Sequence, residues 1–337
     1  MRRALLVGAG GMGQAWANNL SKHPEVALAG WADIREGAAA EAAEKHSLSF
    51  DWYGTDLEQA IAESRPDFVV DVTIPEAHHG VTLTALKHGI PVIGEKPMAH
   101  SMEAAREMVA ASEKAGQLYM VSQSRRYDNA IRAYRRLIQQ TCGNVGILNA
   151  DFYIGAHFGG FRDEMDHVLV LDMAIHSFDQ ARFLLGNAKP VSVYAEEFNP
   201  EWSWYKGAAG ATCLFELEGG VQFTYRGCWC SEGLHTSWEC EWRAVGSTGT
   251  ALWDGHKTVK GAKVTGTEGF HRATEPVEEA IVDEVAGGIG GSLNDFLNAL
   301  DTGATPHGEC HDNIQSLAMV FAAIESAKTG QRVKITI

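Results

Sequence analysis

The sequence lacks long apolar runs and an excess of positive charge, and it is poor in cysteine. It contains no run of about 18 apolar residues, the length that a membrane-spanning helix requires, so no transmembrane helix is expected. Lys and Arg number 28 against 43 Asp and Glu, which gives a net charge of −15. Nucleic acids and anionic membranes both bind clustered positive charge, so we expect neither as a partner.

Cysteine is also scarce, with six residues in a chain of 337. Only Cys228 and Cys230 lie close together, and no second pair of cysteines or histidines follows at the spacing of zinc ligands. We therefore expect no bound metal and a reduced protein in the cytoplasm. The N-terminus is rich in glycine and lacks the apolar run and cleavage site of a signal peptide.

The length of the chain predicts two domains, because 337 residues are many for a single hydrophobic core. Residues 1–123 alternate short apolar runs with helical patterns, which predicts a Rossmann domain, a doubly wound parallel sheet. In residues 124–337 strand patterns follow one another, with a hairpin signal at 218–220. This predicts an α+β domain with a large, mostly antiparallel sheet. Thr55 is expected to cap a helix, and the glycine-rich stretch 285–292 to form a loop.

A glycine-rich turn follows the first predicted strand. It has the G-x-G-x-x-G pattern of dinucleotide-binding proteins, with Gly8 for the tight turn, Gly10 for close approach of a pyrophosphate and Gly13 for close helix packing. The helix that begins here offers unpaired N–H groups to an anion. The expected cofactor-binding residues of this turn are Gly8, Gly10, Gly11, Met12 and Gly13.

An acidic residue at the end of the next predicted strand strengthens this interpretation. Asp33 lies 20 residues after Gly13, where a carboxylate binds the ribose hydroxyls of NAD and repels the 2′-phosphate of NADP. Arg35 opposes that preference, because a guanidinium can hold the same phosphate. We expect NAD as the cofactor, with NADP as the alternative.

Two further groups of polar residues interrupt apolar segments. Glu95 and Lys96 end a buried strand, where they form either a solvated turn or part of a reaction site. Asp172 and His176 are four residues apart in an apolar helix, so they share one face. Such a pair is either a surface or capping pair, or it lines a cavity; the apolar surroundings favour the cavity.

Together these features resemble the glucose–fructose oxidoreductase and inositol dehydrogenase family, Gfo/Idh/MocA. The matching pieces are VGAGGMG, Asp33, TIPEAHH, GEKPMA and LDMAIHSFD, in the order found in the family. The resemblance extends over the whole chain. It implies that Lys96 lies near the reacting oxygen, that His176 is the acid and base, and that Asp172 binds substrate hydroxyls and orients His176.

The resemblance also implies contacts for other residues. Those expected beside the cofactor are Thr73, Pro75, His79, Glu95 and Lys96. Those expected near the substrate are Arg126 and Tyr127. In the distinctive polar stretch 157–167, this sequence itself suggests substrate contacts by His157, Arg162 and His167, which are alternatively surface residues. One departure lies at 166–170, where many members have a glycine-rich stretch.

The function expected from these residues is a dehydrogenase that transfers a hydride from a secondary alcohol of a sugar, inositol or related polyol to NAD. Two alternatives keep the fold: an enzyme that uses tightly bound cofactor for a transient oxidation, and a non-catalytic cofactor-binding regulator. The Trp-rich stretch 201–205 either stacks on a sugar or fills a core or interface. The resemblance further implies that the C-terminal sheet is open-faced and that the protein is a dimer or tetramer that pairs through it.

Overall fold

The protein, analysed as a computed structural model, is described over all 337 residues and divides into two compact units. The first comprises Met1–Ser124 and Ile289–Ile314, and the second Arg125–Gly288 and Gln315–Ile337. The first unit thus includes a C-terminal stretch outside the predicted segment 1–123.

The first unit is built on a six-stranded sheet. Its strands are β1 (Arg2–Val7), β2 (Val26–Ala32), β3 (Trp52–Gly54), β4 (Phe68–Asp71), β5 (Val92–Glu95) and β6 (Tyr119–Ser122). They are all parallel and lie in the order β3-β2-β1-β4-β5-β6. This is the order of the doubly wound dinucleotide-binding fold, so the predicted fold class is confirmed.

Helices connect these strands. They are α1 (Gly11–Lys22), α2 (Ala38–Lys45), α3 (Leu57–Ser64), α4 (Pro75–Lys87) and α5 (Met102–Ala115). Helix α5 is capped at both ends, since the Ser101 side chain accepts a hydrogen bond from Ala104 N and Gly116 is left-handed. The predicted cap of α3 was wrong by one residue. Asp56, not Thr55, accepts the Gln59 N–H at 2.8 Å.

The glycine-rich stretch 285–292 is not entirely a loop, because α8 (Gly288–Thr302) begins inside it. Leu293, Phe296 and Leu297 share the buried face of this helix, and the ring of Phe296 lies 5.6 Å from that of Phe68. Burial of a large apolar side chain contributes about 1.5–3 kcal/mol, which outweighs the weak helix propensity of the glycines. Tertiary packing therefore extends the helix into the predicted loop.

The second unit contains a nine-stranded sheet. Its strands are β7 (Val145–Tyr153), β8 (Pro190–Phe198), β9 (Gly210–Leu217), β10 (Val221–Cys228), β11 (Glu241–Gly246), β12 (Gly249–Trp253), β13 (Val259–Val264), β14 (Thr274–Glu278) and β15 (Val333–Lys334). The order is β14-β13-β12-β11-β7-β10-β9-β8-β15. Only β7 and β10 pair in parallel, so the predicted mostly antiparallel sheet is confirmed.

One face of this sheet is covered and the other is open. The remaining helices are α6 (Asn129–Thr141), α7 (Ile175–Leu184) and α9 (Cys310–Thr329), and α6 packs on β12 and β13. Along β7, Leu148, Ala150 and Phe152 are buried, whereas Asn149 and Asp151 between them are partly exposed. This alternation is typical of a sheet with one packed and one open face. None of the helices has the length and hydropathy of a membrane span.

Candidate cofactor and active sites

The glycine turn between β1 and α1 has the geometry that a bound pyrophosphate requires. Gly8 has a φ of +106°, and a Cβ there would lie 2.7 Å from the carbonyl oxygen of Val72. A Cβ on Gly13 would lie 2.1 Å from the Gly8 oxygen, so only glycine allows this close packing of helix on strand. Nothing lies within 4 Å of a Cβ on Gly10 or Gly11, which leaves their backbone open. Met12 is about half-exposed beside them.

Asp33, just after β2, is bound on both carboxylate oxygens. Its Oδ2 accepts the Ala9 N–H at 2.7 Å, which ties it to the glycine turn. Its Oδ1 accepts the backbone N–H of Arg35 at 2.9 Å and the Arg35 Nε–H at 3.3 Å. The guanidinium of Arg35 is largely exposed. The two residues that favour opposite cofactors are thus bound to each other.

The loop after β4 is flanked by a buried pair that the sequence interpretation missed, Asp71 at the end of β4 and His78 on α4. Thr73 Oγ1 donates to Asp71 Oδ1 at 2.6 Å, and Asp71 Oδ2 lies 3.0 Å from His78 Nδ1. Burial lowers the pKa of His78, but the neighbouring Asp71 carboxylate outweighs it, so that the pKa is raised overall. Asp71 therefore fixes Thr73 at the start of this loop.

The predicted cofactor residues Pro75 and His79 lie on α4, which Pro75 begins. His79 is partly exposed, and its Nε2 lies 2.6 Å from Glu107 Oε2. The buried histidine of the HH pair is its neighbour His78. The cofactor contact of His79 stays a prediction.

The charged residues at the end of β5 do not form a solvated turn. Glu95 is 8% exposed, and its carboxylate accepts the Trp16 indole N–H at 2.7 Å and the Lys96 N–H at 3.2 Å. Burial raises the pKa of Glu95, whereas the hydrogen bond from Trp16 opposes the rise. Glu95 thus anchors the strand end to α1, and the half-buried Lys96 follows it at the carboxyl end of the sheet, where doubly wound folds bind ligands.

In the second unit, Asp172 and His176 lie on a helical segment that is otherwise almost completely buried. Asp172 is in a π-helical turn, Leu169–Ala174, which continues into α7 with His176 in its first turn. Between residues 168 and 184, only Leu171, Asp172 and His176 are not buried. Such π turns occur frequently at functional sites. Both residues are thus partly exposed in an otherwise buried segment, and the shared face expected from their four-residue spacing stays a prediction.

Asp172 is held by Arg162. The Arg162 Nε–H donates to Asp172 Oδ2 at 2.6 Å, and the guanidinium lies over the rings of Phe158 and Phe161, 4.9 and 4.7 Å from their centroids. The Asp172 side chain is 15% exposed. Arg162, predicted as a substrate contact, thus also fixes the rotamer of Asp172.

The two other predicted substrate contacts in this region are histidines paired with glutamates. His157 is 61% exposed, lies 2.8 Å from Glu232 and stacks on Trp204 with ring centroids 3.7 Å apart. His167 Nδ1 lies 2.7 Å from Glu197 Oε2, and the Glu197 side chain is only 6% exposed. In the Trp-rich stretch 201–205, Trp204 packs within the second unit because it stacks on His157, whereas Trp202 is 71% exposed.

The remaining two predicted substrate contacts are buried. Arg126 is fully buried, and its Nε and Nη2 atoms donate to the two carboxylate oxygens of Asp179, both at 2.6 Å. Tyr127 is 2% exposed and lies under the guanidinium of Arg132. The geometry favours a structural role for both residues over the expected substrate contact, because neither presents its side chain at a surface.

One group of residues has the composition of a metal site. Glu309, Cys310 and His311 offer ligand atoms that all lie within 4.8 Å of one another. Both imidazole nitrogens of His311 already lie within hydrogen-bonding distance of carboxylates, at 2.7 Å from Glu309 and 2.9 Å from Glu113. The expectation that no metal is bound stays a prediction.

Comparison with known proteins identifies both parts of the chain. Residues 2–123 match the model of an oxidoreductase family with an NAD-binding Rossmann fold, GFO_IDH_MocA. Residues 162–335 match the C-terminal alpha/beta domain of the same family.

Two of the relatives are named for activities on sugars. The 1,5-anhydro-D-fructose reductase of Ensifer adhaerens is 27% identical over 83% of this chain and 83% of its own. The D-apiose dehydrogenase of Paraburkholderia graminis is 26% identical over 83% of this chain and 76% of its own. Among solved structures, an oxidoreductase from Agrobacterium radiobacter, in complex with NAD+, L-tartaric acid and magnesium, superposes with a TM-score of 0.85 at 20% identity, over 99% of this chain and 98% of the other.

Proposed function

Since the chain belongs to the Gfo/Idh/MocA oxidoreductase family, we propose that it is an NAD-dependent dehydrogenase that oxidises a secondary alcohol of a sugar, an inositol or a related polyol. The observation that carries this proposal is the polar face of the 168–184 helix, where Asp172 and His176 are accessible among buried residues. A carboxylate and an imidazole on one open face suit proton transfer. The named sugar reductase and dehydrogenase relatives support the substrate class.

The glycine turn fits the cofactor, because the open backbone at Gly10 and Gly11 leaves room for a pyrophosphate and Asp33 lies at the end of β2. When bound, the nicotinamide supplies the hydride acceptor. In this proposal His176 takes the hydroxyl proton of the substrate and Asp172, held by Arg162, orients it. Lys96 stabilises the negative charge that develops on the substrate oxygen.

The test is absorbance at 340 nm for a grid of NAD and NADP against inositols, aldoses and their acids near pH 9. Formation of NADH with one polyol would establish the cofactor and substrate class together. If wild-type protein binds NADH but no member of the grid is oxidised, the proposal fails. If the protein instead uses tightly bound cofactor for a transient oxidation, the nicotinamide cofactor should stay bound through gel filtration. A non-catalytic regulator should show neither NADH formation nor retained cofactor.

Asp33→Asn is expected to shift cofactor preference toward NADP. The substitution removes the charge that repels a 2′-phosphate and frees the Arg35 guanidinium, which lies 3.3 Å from Asp33 Oδ1. We expect the ratio of the NADPH and NADH dissociation constants to fall about tenfold, which corresponds to about 1.4 kcal/mol. Quenching of tryptophan fluorescence during cofactor titration measures both constants without a substrate. The double variant Asp33→Asn, Arg35→Ala should lose the gain, and an unchanged ratio in Asp33→Asn would contradict the assignment of Asp33.

We also propose that the protein is a dimer or tetramer that pairs through the open face of the nine-stranded sheet, in a reducing cytoplasm. All six cysteines are free and buried, which agrees with such a compartment. A groove of about 550 Å³ lies on this face. Asp151, Arg226, Glu241 and Arg243 line this groove with two charges of each sign, so that two copies can present opposite charges to each other.

Arg226→Glu is expected to weaken this self-association. Arg226 Nε and Nη2 each donate to Asp151 at 2.7 Å, and the substitution would place two carboxylates side by side on the open face. Light scattering coupled to gel filtration should show a smaller particle than the wild type. Lys114→Glu, on the exposed surface of α5, makes the same charge change away from the sheet and should leave the mass unchanged. A wild-type monomer would refute the proposal.

A further inference from the structure

Glu197 is an acidic residue at an inward-facing position of a sheet. In β8, Val193 and Ala195 are buried on the packed face, and Glu197 is the next residue of that series. It pairs across the sheet with Ala211, which is 1% exposed. A carboxylate in such a place is unfavourable unless another group compensates it, so its presence indicates a specific task.

The group that faces Glu197 is His167. The distance from Glu197 Oε2 to His167 Nδ1 is 2.7 Å, and the other oxygen, Oε1, is buried without a hydrogen bond. The His167 side chain is 21% exposed, and its Nε2 atom makes no hydrogen bond within the protein. The pair thus joins a buried carboxylate to an imidazole whose second nitrogen is available to a ligand. Carboxylates hold catalytic and metal-binding imidazoles in one tautomer in the same way.

The segment 162–167 holds this imidazole close to the active-site helix. At one end, Arg162 binds Asp172, and at the other the His167 carbonyl oxygen accepts the Leu171 N–H at 2.9 Å. Between them, the carbonyl oxygens of Asp163 and Asp166 accept backbone N–H groups of Lys206 and Ala208, both at 2.8 Å.

Gly207 allows the 162–167 segment to pack closely against the backbone of residues 206–208. A Cβ on Gly207 would lie 2.1 Å from the Asp166 oxygen. The backbone that carries His167 is therefore fixed by hydrogen bonds and close packing, and it leads directly into the helix of Asp172 and His176.

We propose that His167 is a second imidazole of the substrate site, a specificity-determining residue whose Nε2 accepts a hydrogen bond from a hydroxyl of the polyol next to the one that is oxidised. Glu197 is the positioning residue that keeps the proton on Nδ1. The inference rests on the proposed dehydrogenase function and deepens it, because it requires a substrate with neighbouring hydroxyls. It does not give His167 a part in the proton transfer assigned to His176.

The orienting role of Glu197 is tested without any substrate. In protein labelled with ¹⁵N-histidine, His167→Asn identifies the His167 signals by their disappearance. We expect wild-type His167 to carry a proton on Nδ1, the nitrogen that faces Glu197, and Glu197→Gln to give a mixture of tautomers. Glu232→Gln makes the same change beside the exposed His157 and should leave the His167 signals unchanged. A His167 tautomer that Glu197→Gln does not alter would overturn the pairing.

The ligand contact is tested by adding the polyols to NADH-saturated enzyme and following the His167 Nε2 signal. The polyol that is oxidised should move this signal, and His167→Asn should raise its KM about 3- to 10-fold with little change in kcat, as expected for one uniform hydrogen bond. A signal that no polyol moves would overturn the proposal. Absence of NADH formation refutes the proposed function instead, and a polyol that moves the signal without turnover would still support His167 as a ligand-binding residue.

Discussion

Replacement of His176 by alanine is expected to lower kcat/KM for the polyol by about 10²- to 10⁴-fold, the contribution of a positioned general base. The fold should survive, because His176 is one of the few accessible residues of its helix and its neighbours provide the packing. The NADH dissociation constant should also stay within about twofold, since the predicted cofactor residues lie in the first unit. Steady-state kinetics and NADH titration of the same preparation separate these effects.

His256→Ala is a matched control for this experiment, because it removes an exposed imidazole from a loop and should leave the rate unchanged. Added imidazole should restore part of the activity of His176→Ala, since it can replace the missing base but not a structural contact. Lys96→Met tests the other proposed role and should also lower kcat without preventing folding. A His176→Ala enzyme with more than a third of the wild-type kcat/KM would rule out His176 as the base.

Asp179→Ala is expected to lower the free energy of unfolding by about 3–5 kcal/mol, because it leaves a buried guanidinium without its counter-charge. The side chains of Arg126 and Asp179 are 0% and 2% exposed and are joined by two hydrogen bonds of 2.6 Å. Ser316 also donates to Asp179 at 2.7 Å and accepts from Arg182 at 2.8 Å. The variant therefore breaks a connected buried network rather than a single contact.

The environment of Arg126 increases this cost. Burial lowers the pKa of Arg135, and repulsion by Arg126 and Arg132 lowers it further, so positive charge is already crowded here.

Urea denaturation followed by circular dichroism measures this effect. Asp51→Ala is the control, because it breaks an ion pair with Arg3 whose side chains are 65% and 39% exposed, and should cost less than about 1 kcal/mol. The double variant Arg126→Met, Asp179→Leu should recover most of the lost stability, since it removes both charges. If Asp179→Ala unfolds at the same urea concentration as Asp51→Ala, the buried network does not contribute as proposed.

The sequence by itself determined the features that depend on local spacing. The three glycines of the turn, Asp33 at the end of the next strand and the four-residue spacing of Asp172 and His176 all lie in the elements that their patterns predicted. Hydrophobic periodicity predicts such elements because it is a property of neighbouring residues. The order of strand and helix patterns likewise predicted a parallel sheet followed by a mostly antiparallel one.

The tertiary structure alone decided which polar side chains are buried and what they bind. Trp16 meets Glu95 across 79 residues, Arg126 meets Asp179 across 53, and His167 meets Glu197 across 30. No local pattern contains such pairs, because a buried charge is tolerated only where the fold supplies its partner. For the same reason Arg126 resembled a substrate contact in the sequence and is buried in the fold, while Glu197 gave no signal until the sheet placed it against His167.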